Sequence, residues 1–296
     1  MLVGVLGLAG CATTPAASRQ AACPLVRQTE LPITMLRNFL LVPAALDGDK
    51  VMMVVDTGAE ASTVTPQTVE TLGLAWTPSS IRLLGVSGEV AGGGVARLKG
   101  MKLGGLEQGS RALDVSRLPL LGGPDRPVAG LLGADVLGRY DVELDLPRQV
   151  MTLYAVPPCP GFVPPGYSPG DGHDLQRLAG GLLFVSAEID GRGVRALLDT
   201  GARSSLITRH VAAGLGVTED DLAHDPLVPG RGIGTDAVSF RRHRFDEVRV
   251  GDVAVRDMTL NVAALPIAGV DMLLGADWLA GRRVWISRAA GRLFQR

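Results

Sequence analysis

The stretch Val54-Val55-Asp56-Thr57-Gly58-Ala59 returns later in the chain as Leu197-Leu198-Asp199-Thr200-Gly201-Ala202. Each copy ends an apolar run and presents one carboxylate on a turn that contains glycine. Around them, residues 42–65 and 185–208 agree at eleven of 24 positions, at an offset of 143. At an offset of 142, Leu131–Leu137 and Leu273–Leu279 agree at six of seven positions. Two unrelated segments that recur in the same order and at the same separation indicate a duplicated domain.

The composition of the chain suits two β-rich domains of ordinary size. The sequence has 296 residues, of which 39 are glycine, and short strands joined by tight turns fit this composition better than long helices. The 29 basic and 30 acidic residues are nearly balanced, so charge does not indicate a nucleic-acid partner. We predict no metal and no cofactor, because Cys-x-x-Cys is absent and the histidines never fall at ligand spacing.

Both copies of the repeated motif are predicted to end a β-hairpin. Apolar strands over 39–46 and 51–55 flank a turn that contains Asp and Gly. Strands over 182–189 and 194–198 flank the equivalent turn of the second repeat. Each hairpin should therefore deliver one Asp at the end of its second strand.

The domain boundaries follow from the composition between the repeats. Residues 156–174 contain two Pro-Pro pairs and several glycines, and such a segment can hardly hold a strand ladder or a helix. We therefore predict a linker there. The predicted organisation is a signal segment and tether at 1–29, a first lobe at 30–155, the linker at 156–174 and a second lobe at 175–296.

The apolar start of the chain predicts export from the cytoplasm of a bacterium. Met1–Gly10 carries no charged side chain and is too short to span a bilayer, which takes about 20 residues. Leu8-Ala9-Gly10-Cys11 resembles the lipobox of bacterial lipoproteins, whose cysteine becomes lipid-modified. We therefore predict a periplasmic protein anchored to a membrane through Cys11. A disordered apolar terminus is the alternative, because the basic n-region of a signal peptide is missing.

Two cysteines remain if Cys11 is lipidated. Cys23 and Cys159 form an even pair, and in an oxidising compartment they could join the tether to the linker as a disulfide. Two unrelated thiols are the alternative, and the sequence does not choose between them.

A glycine cluster lies between the acidic motif and the later apolar block in each repeat. The first is Gly85-Val86-Ser87-Gly88, and the second contains Gly232-Ile233-Gly234. Because glycine allows flexibility and a close backbone approach to a ligand, we predict hairpin tips that fold over a bound peptide. Ordinary surface hairpins are the alternative, but the matching positions in the two repeats favour flaps.

Two carboxylates on matching turns suit acid–base chemistry on a peptide bond. Held about 3 Å apart, Asp56 and Asp199 cannot both ionise freely, so one keeps a proton. The ionised acid would activate a water that attacks the scissile carbonyl, and the protonated acid would hydrogen-bond the carbonyl oxygen. The threonine hydroxyls are expected to bond backbone across the lobes, and the glycines to allow a sharp turn. The supporting residues are Thr57, Gly58, Ala59, Thr200, Gly201 and Ala202.

Both repeats resemble retropepsin-type aspartic proteases, and the whole chain is similar to bacterial exported members that carry two such domains. Asp-Thr-Gly-Ala is the retropepsin form of the motif. Leu-Leu-Gly at 131–133 and 273–275 matches the strand that passes behind the active-site turn, before a short helix near Ala134 and Ala276. The resemblance implies a mostly β fold with two closed, barrel-like lobes in a pepsin-like pseudo-dimer. It also implies a cleft between the lobes and a peptide bound extended beneath the flaps.

The chain departs from this family beside the two motifs. The Arg that follows the later Gly in retroviral enzymes is replaced by Ala134 and Ala276. Glu60 and Arg203 follow the two motifs with opposite charges, where the family places side chains near the inner subsites. They are expected to favour different substrate charges on the two sides of the cleft. The alternative is that both pair locally, Arg203 with Asp277.

The leading hypothesis is a membrane-tethered periplasmic endopeptidase that acts as a monomer, because one chain supplies both acids. A non-cleaving peptide-binding or adaptor module on the same fold is the alternative, since a fold and a motif report a site and not turnover. A serine hydrolase is excluded, because the sequence around Ser87 lacks the closing Gly of a nucleophile elbow.

Overall fold

The chain is mostly β-strand, as its composition predicts. The computed structural model describes residues 23–79, 82–85, 88–91, 93–118, 128–231, 237–265 and 267–296. The predicted lipidation site Cys11 lies outside these residues, as do Val86, Ser87 and the cluster 232–234 of the predicted flaps. None of the helices in the described ranges has the length and apolar character needed to cross a lipid bilayer.

The first repeat forms one lobe of short strands and two helices. Its helices are α1 (Pro66–Thr71) and α2 (Ala134–Leu137). Its strands are β1 (Val26–Pro32), β2 (Thr34–Leu36), β3 (Phe39–Leu46), β4 (Asp49–Val55), β5 (Thr63–Val64), β6 (Ala75–Thr77), β7 (Arg82–Gly85), β8 (Gly88–Ala91), β9 (Gly94–Leu103), β10 (Leu106–Val115), β11 (Val128–Leu132), β12 (Asp141–Asp145) and β13 (Val150–Ala155).

The second repeat follows the same plan with one additional helix. Single 3-10 turns lie at Pro169–Asp171 and Ala179–Gly181, so the predicted linker holds one such turn and β14 begins within its last three residues. The helices are α3 (Arg209–Gly214), α4 (Glu219–His224) and α5 (Ala276–Leu279). The strands are β14 (Gly172–Arg177), β15 (Leu183–Ile189), β16 (Arg192–Leu198), β17 (Leu206–Thr208), β18 (Leu227–Arg231), β19 (Ala237–Val250), β20 (Val253–Ala263), β21 (Met272–Leu274), β22 (Arg283–Ser287) and β23 (Arg292–Gln295).

Six strands of the first repeat close into a barrel. Their order is β3-β4-β11-β5-β10-β9, and β9 pairs back onto β3 at Ala45 and Leu46. Along β3, residues such as Leu40 and Val42 point into the barrel and are fully buried, as the period of two along a strand requires. The predicted hairpin over 39–55 is confirmed as β3 and β4.

The second repeat closes in the same way, in the order β15-β16-β21-β17-β20-β19. Here β19 pairs back onto β15, with Val250 opposite Ala187. The predicted hairpin over 182–198 is confirmed as β15 and β16. The two closed lobes in tandem are the fold that the family resemblance implied.

A six-stranded sheet, in the order β1-β13-β12-β22-β23-β14, joins the lobes. At its centre β12 of the first repeat pairs antiparallel with β22 of the second, with Glu143 opposite Trp285. Glu143 accepts hydrogen bonds from Arg283 and from the Tyr154 hydroxyl, so the charge buried at this junction is paired. Because each repeat supplies half of the sheet, neither lobe completes it alone.

Cys23 and Cys159 form a disulfide, which settles the pairing that the sequence left open. Both cysteines pack against an aromatic cluster. It contains Phe162, from the segment between the repeats, and Trp285 and Phe294, from the six-stranded sheet that joins the lobes. The disulfide therefore ties the start of the described chain to the segment between the repeats.

Candidate active site

The two motif aspartates lie at equivalent ends of strands. Asp56 follows β4 and donates its N–H to the Leu132 carbonyl at 3.0 Å, and Asp199 follows β16 and donates to the Leu274 carbonyl at 3.0 Å. Those carbonyls belong to the Leu-Leu-Gly strands β11 and β21, which pass behind the motifs as the family resemblance implied. We call residues 56–59 the first Asp turn and residues 199–202 the second Asp turn.

Two threonines connect the Asp turns across the lobes. The Thr57 N–H donates to Thr200 Oγ1 at 3.0 Å, and the Thr200 N–H donates to Thr57 Oγ1 at 3.1 Å. The Thr57 hydroxyl donates in turn to the Leu198 carbonyl at 2.7 Å, and the Thr200 hydroxyl to the Val55 carbonyl at 2.6 Å. Both threonines are fully buried. The expected bond across the lobes is therefore present in both directions, and it brings the two aspartates together.

The glycine of each Asp turn lies against the carboxyl group of the other turn. A Cβ added to Gly58 would overlap the Asp199 carboxyl, and a Cβ added to Gly201 would overlap that of Asp56. Neither glycine has a positive φ. The predicted turn is present at residues 57–58 and 200–201, but a left-handed backbone is not the reason for glycine there. Glycine is required because no side chain fits between the lobes there.

Backbone N–H groups point at both carboxylates, as predicted. The Gly58 N–H donates to Asp56 Oδ1 at 3.0 Å, while Asp199 Oδ1 accepts from Gly201 at 2.9 Å and from Ala202 at 3.0 Å. Burial, and then the negative charge of Asp199, hold the pKa of Asp56 well above its usual range. Burial also raises the pKa of Asp199 to about 6, against the effect of its two N–H donors. The pair therefore holds one proton more readily than two separate carboxylates would.

Two serine–aspartate pairs support the Asp turns from behind, and sequence reasoning missed this role. Asp135 Oδ1 accepts from the Ser62 N–H at 2.8 Å and from its hydroxyl at 2.6 Å. Asp277 Oδ1 accepts from the Ser205 N–H at 2.9 Å and from its hydroxyl at 2.7 Å. All four residues recur at matching positions in the two repeats, and that identity was the available signal.

The predicted subsite residues lie where each lobe meets the other. Glu60 packs against the backbone of Gly180, so that a Cβ there would overlap its carboxyl group. The Arg203 guanidinium lies 5.7 Å from the centre of the Phe39 ring. The suggested ion pair of Arg203 with Asp277 is not found among the described residues. The Asp277 oxygens accept hydrogen bonds from Ser205 instead. Selection of substrate charge by Glu60 and Arg203 stays a prediction.

Paired strands lie on both sides of each predicted flap cluster. Gly85 and Gly88 are paired at the end of the β7–β8 hairpin, and the second cluster follows the last pair of β18 and β19, Arg231 with Ala237. Val86 and Ser87 are outside the described residues, as are Gly232, Ile233 and Gly234. Their closure over a peptide stays a prediction.

Comparison with known proteins agrees with this geometry. A family model described as aspartyl protease matches residues 42–136 and 185–278, which together exceed half of the chain. Each match runs from the hairpin before an Asp turn to the short helix behind it. No curated protein matches the chain. The two matched regions coincide with the two repeats.

Proposed function

We propose that this chain, which belongs to the aspartyl protease family, is an endopeptidase whose single active site is built from both repeats. The family match confirms the resemblance to a two-domain retropepsin-like protein. The observation that carries the proposal is the reciprocal hydrogen bonding of Thr57 and Thr200. It holds one carboxylate from each lobe at a common centre, which is the arrangement that hydrolysis by an acid pair requires.

The reaction needs one ionised and one protonated carboxyl group. Each carboxyl group lies against the glycine of the opposite Asp turn, and the pKa of Asp56 is held well above its usual range by burial and by the Asp199 charge. Asp199 has a second N–H donor, from Ala202, to stabilise its negative charge. The proposed mechanism begins with the shared proton on Asp56 and with Asp199 as the general base.

Hydrolysis then proceeds through a tetrahedral intermediate. Asp199 takes a proton from a water as the water oxygen bonds to the scissile carbonyl carbon. Asp56 gives its proton to the carbonyl oxygen, so a neutral gem-diol forms. Asp199 then transfers the proton to the leaving nitrogen, Asp56 regains a proton from the gem-diol, and the C–N bond breaks. All protons in this cycle are carried by the two acids, the water and the substrate.

The substrate class follows from the position of the site between two β lobes. An extended peptide can lie along the cleft and hydrogen-bond through its main chain. Incubation of the purified chain with an unfolded protein, with Asp56→Asn as the control, tests this proposal. Peptides that appear with the wild type alone support it, whereas binding of the unfolded protein without cleavage would favour a peptide-binding module.

The proposal extends to the setting of the enzyme. A disulfide between Cys23 and Cys159 is typical of exported proteins, which supports the predicted periplasmic location. Lipid attachment at Cys11 is proposed from the lipobox, and metabolic labelling with a fatty acid, compared in wild type and Cys11→Ala, tests it. A monomer is proposed because both aspartates come from one chain, and the mass of the active species in solution tests that.

A further inference from the structure

The two carboxylates behind the Asp turns differ in how their charge is balanced. Asp135 uses Oδ1 to accept from Ser62, and its Oδ2 lies 3.0 Å from Nη1 of Arg111, whose side chain is 9% exposed. Asp277 accepts from the Ser205 N–H and hydroxyl and from the Trp278 N–H at 2.8 Å. Within the part of the chain that the structure describes, no basic group lies within ion-pair distance of Asp277.

Strand register identifies what replaces the arginine in the second lobe. β10 runs parallel to β5, with Asp114 opposite Thr63, the residue after Ser62. β20 runs parallel to β17, with Asn261 opposite Leu206, the residue after Ser205. Counting back three residues along each regular strand makes Arg111 equivalent to Met258. Met258 is buried and uncharged. The second lobe therefore has a methionine where the first has a buried cation.

Two arginines that lie close in sequence to Asp277 or to its partner Ser205 make contacts with other groups. Arg203, from the adjoining turn, stacks on an aromatic ring of the first lobe. Arg282, after α5, lies 5.1 Å from the centre of the Trp278 ring and donates to the Trp278 carbonyl. The carboxylate of Asp199 faces Asp56 across the lobes. On β20, Met258 and Asn261 occupy the positions that Arg111 and Asp114 occupy on β10. Neutral donors are thus what stabilise the negative charge of Asp277.

We propose that Asp277 is a positioning residue that holds the second Asp turn only while it is ionised, so that the second lobe is the acid-sensitive half of the site. This inference rests on the proposed function. An ionised carboxylate accepts every hydrogen bond that Ser205 and the Trp278 N–H direct at it, whereas a protonated carboxyl must donate one. Protonation therefore loosens Ser205, which joins the turn to Gly275 through a 3.0 Å hydrogen bond.

The energetic balance agrees with this asymmetry. Burial raises the pKa of Asp277, and the hydrogen bonds from Ser205 only partly oppose that effect. Asp277 thus takes up a proton at a higher pH than an ordinary aspartate does. In the first lobe the counterpart carboxylate, Asp135, forms an ion pair with Arg111.

The pH dependence of kcat/KM on a peptide substrate tests the proposal. Two ionisations that must both be intact make log kcat/KM fall with a slope of about two at low pH, and one ionisation gives about one. We expect about two for wild type and Asp135→Asn, and about one for Asp277→Asn, whose amide does not titrate. Because this amide is neutral, like the protonated acid, the maximal rate of Asp277→Asn should also be lower than that of wild type. The wild-type profile should bend twice as the pH falls, once for each ionisation. One pH unit below the lower bend, Asp277→Asn should retain a fraction of its own maximal kcat/KM that is about tenfold larger than the fraction wild type retains. Asp277→Ala should be slow at every pH.

Thermal unfolding provides a second test that needs no turnover. A raised pKa in the folded state means that wild type loses stability from Asp277 as pH rises through that pKa. The stability of Asp277→Asn relative to wild type should therefore increase between acidic and neutral pH. Asp135→Asn, which loses an ion pair with Arg111, should show no such increase.

Either test can overturn the inference. An Asp277→Asn profile that keeps the wild-type slope, or a stability difference that does not change with pH, contradicts it. A wild type without turnover on any peptide would refute the proposed endopeptidase, and the unfolding comparison would then decide this inference by itself.

Discussion

Thr57 and Thr200 each donate a backbone N–H to the hydroxyl of the other, at 3.0 and 3.1 Å. The two residues are 143 positions apart in sequence and are buried at the contact between the lobes. Each hydroxyl is thus acceptor and donor at once, and the four bonds hold the Asp turns in one relative position.

Removal of one hydroxyl should damage both stability and catalysis. Thr57→Val leaves the Thr200 N–H without its acceptor, which should lower the free energy of unfolding by about 1–3 kcal/mol. Because displaced reacting groups lose rate steeply, we expect kcat to fall roughly tenfold to a hundredfold. Chemical denaturation and steady-state kinetics measure the two effects. Thr57→Ser keeps the hydroxyl and is the control, so equal losses in Val and Ser variants would contradict this role.

The glycines of the Asp turns should not tolerate a methyl group. In Gly58→Ala and Gly201→Ala the new Cβ would overlap the carboxyl group of the opposite turn, and overpacking of this kind costs about 1–3 kcal/mol. We expect activity to be lost in both variants and the unfolding temperature to fall. The matched control is Gly193→Ala, since nothing lies within 4 Å of a Cβ at that position. Normal activity in Gly58→Ala would show that the Asp199 carboxyl does not lie this close to residue 58 of the opposite turn.

The acid limit of activity should depend on the residue after each Asp-Thr-Gly. Ala202 already donates its N–H to Asp199 Oδ1 at 3.0 Å, so a hydroxyl at this position is within reach of the carboxylate. Such a hydrogen bond stabilises the ionised form and lowers a pKa that burial now raises to about 6. Activity that requires the ionised acid should then persist to lower pH.

We therefore expect Ala59→Ser plus Ala202→Ser to move the acid limb of the rate profile down by about one pH unit. This follows because a hydrogen bond to a charged group contributes about 1.5 kcal/mol and one pKa unit corresponds to about 1.4 kcal/mol. A pH series of kcat/KM measures it, with exposed Ala213→Ser as the control. An acid limb that stays in place would rule out the hydrogen-bond explanation.

The disulfide should contribute to stability without taking part in catalysis. Cys23 and Cys159 are 136 residues apart, and closing a loop of that size stabilises a fold by about 2–4 kcal/mol. Replacing both cysteines by Ser should lower the unfolding temperature and leave kcat near the wild-type value at 25 °C. Reductant should lower the wild-type temperature and leave that of the double variant unchanged. Identical unfolding of oxidised and reduced wild type would contradict this prediction.

The sequence predicts the parts of the fold that are local. The Asp-Gly turns between apolar runs predict the hairpins β3–β4 and β15–β16, and the repeated Leu-Leu-Gly predicts the strands behind the Asp turns. Pairings between distant strands have no local signal. The closure of each barrel and the central pairing of β12 with β22 therefore came from the family resemblance or only from the structure.

The candidate site was predictable to the same degree. Asp56 and Asp199 follow from a repeated motif, and the role of the threonines follows from the chemistry of a hydroxyl. The contact of Gly58 with the opposite carboxyl depends on how two lobes approach, and no pattern within one repeat records that distance. The ion pair of Arg111 with Asp135 was equally hidden, because strand register rather than sequence spacing brings these side chains together.

The most direct test of the account is a cleavage assay that compares wild type with Asp56→Asn, Asp199→Asn and the double variant. The two acids share one proton in the proposed mechanism, so they should behave as one unit. We predict that the wild type cleaves an unfolded protein and that each single variant is as inactive as the double variant. All three variants should unfold as cooperatively as the wild type. Substantial cleavage by either single variant would contradict the shared-proton site.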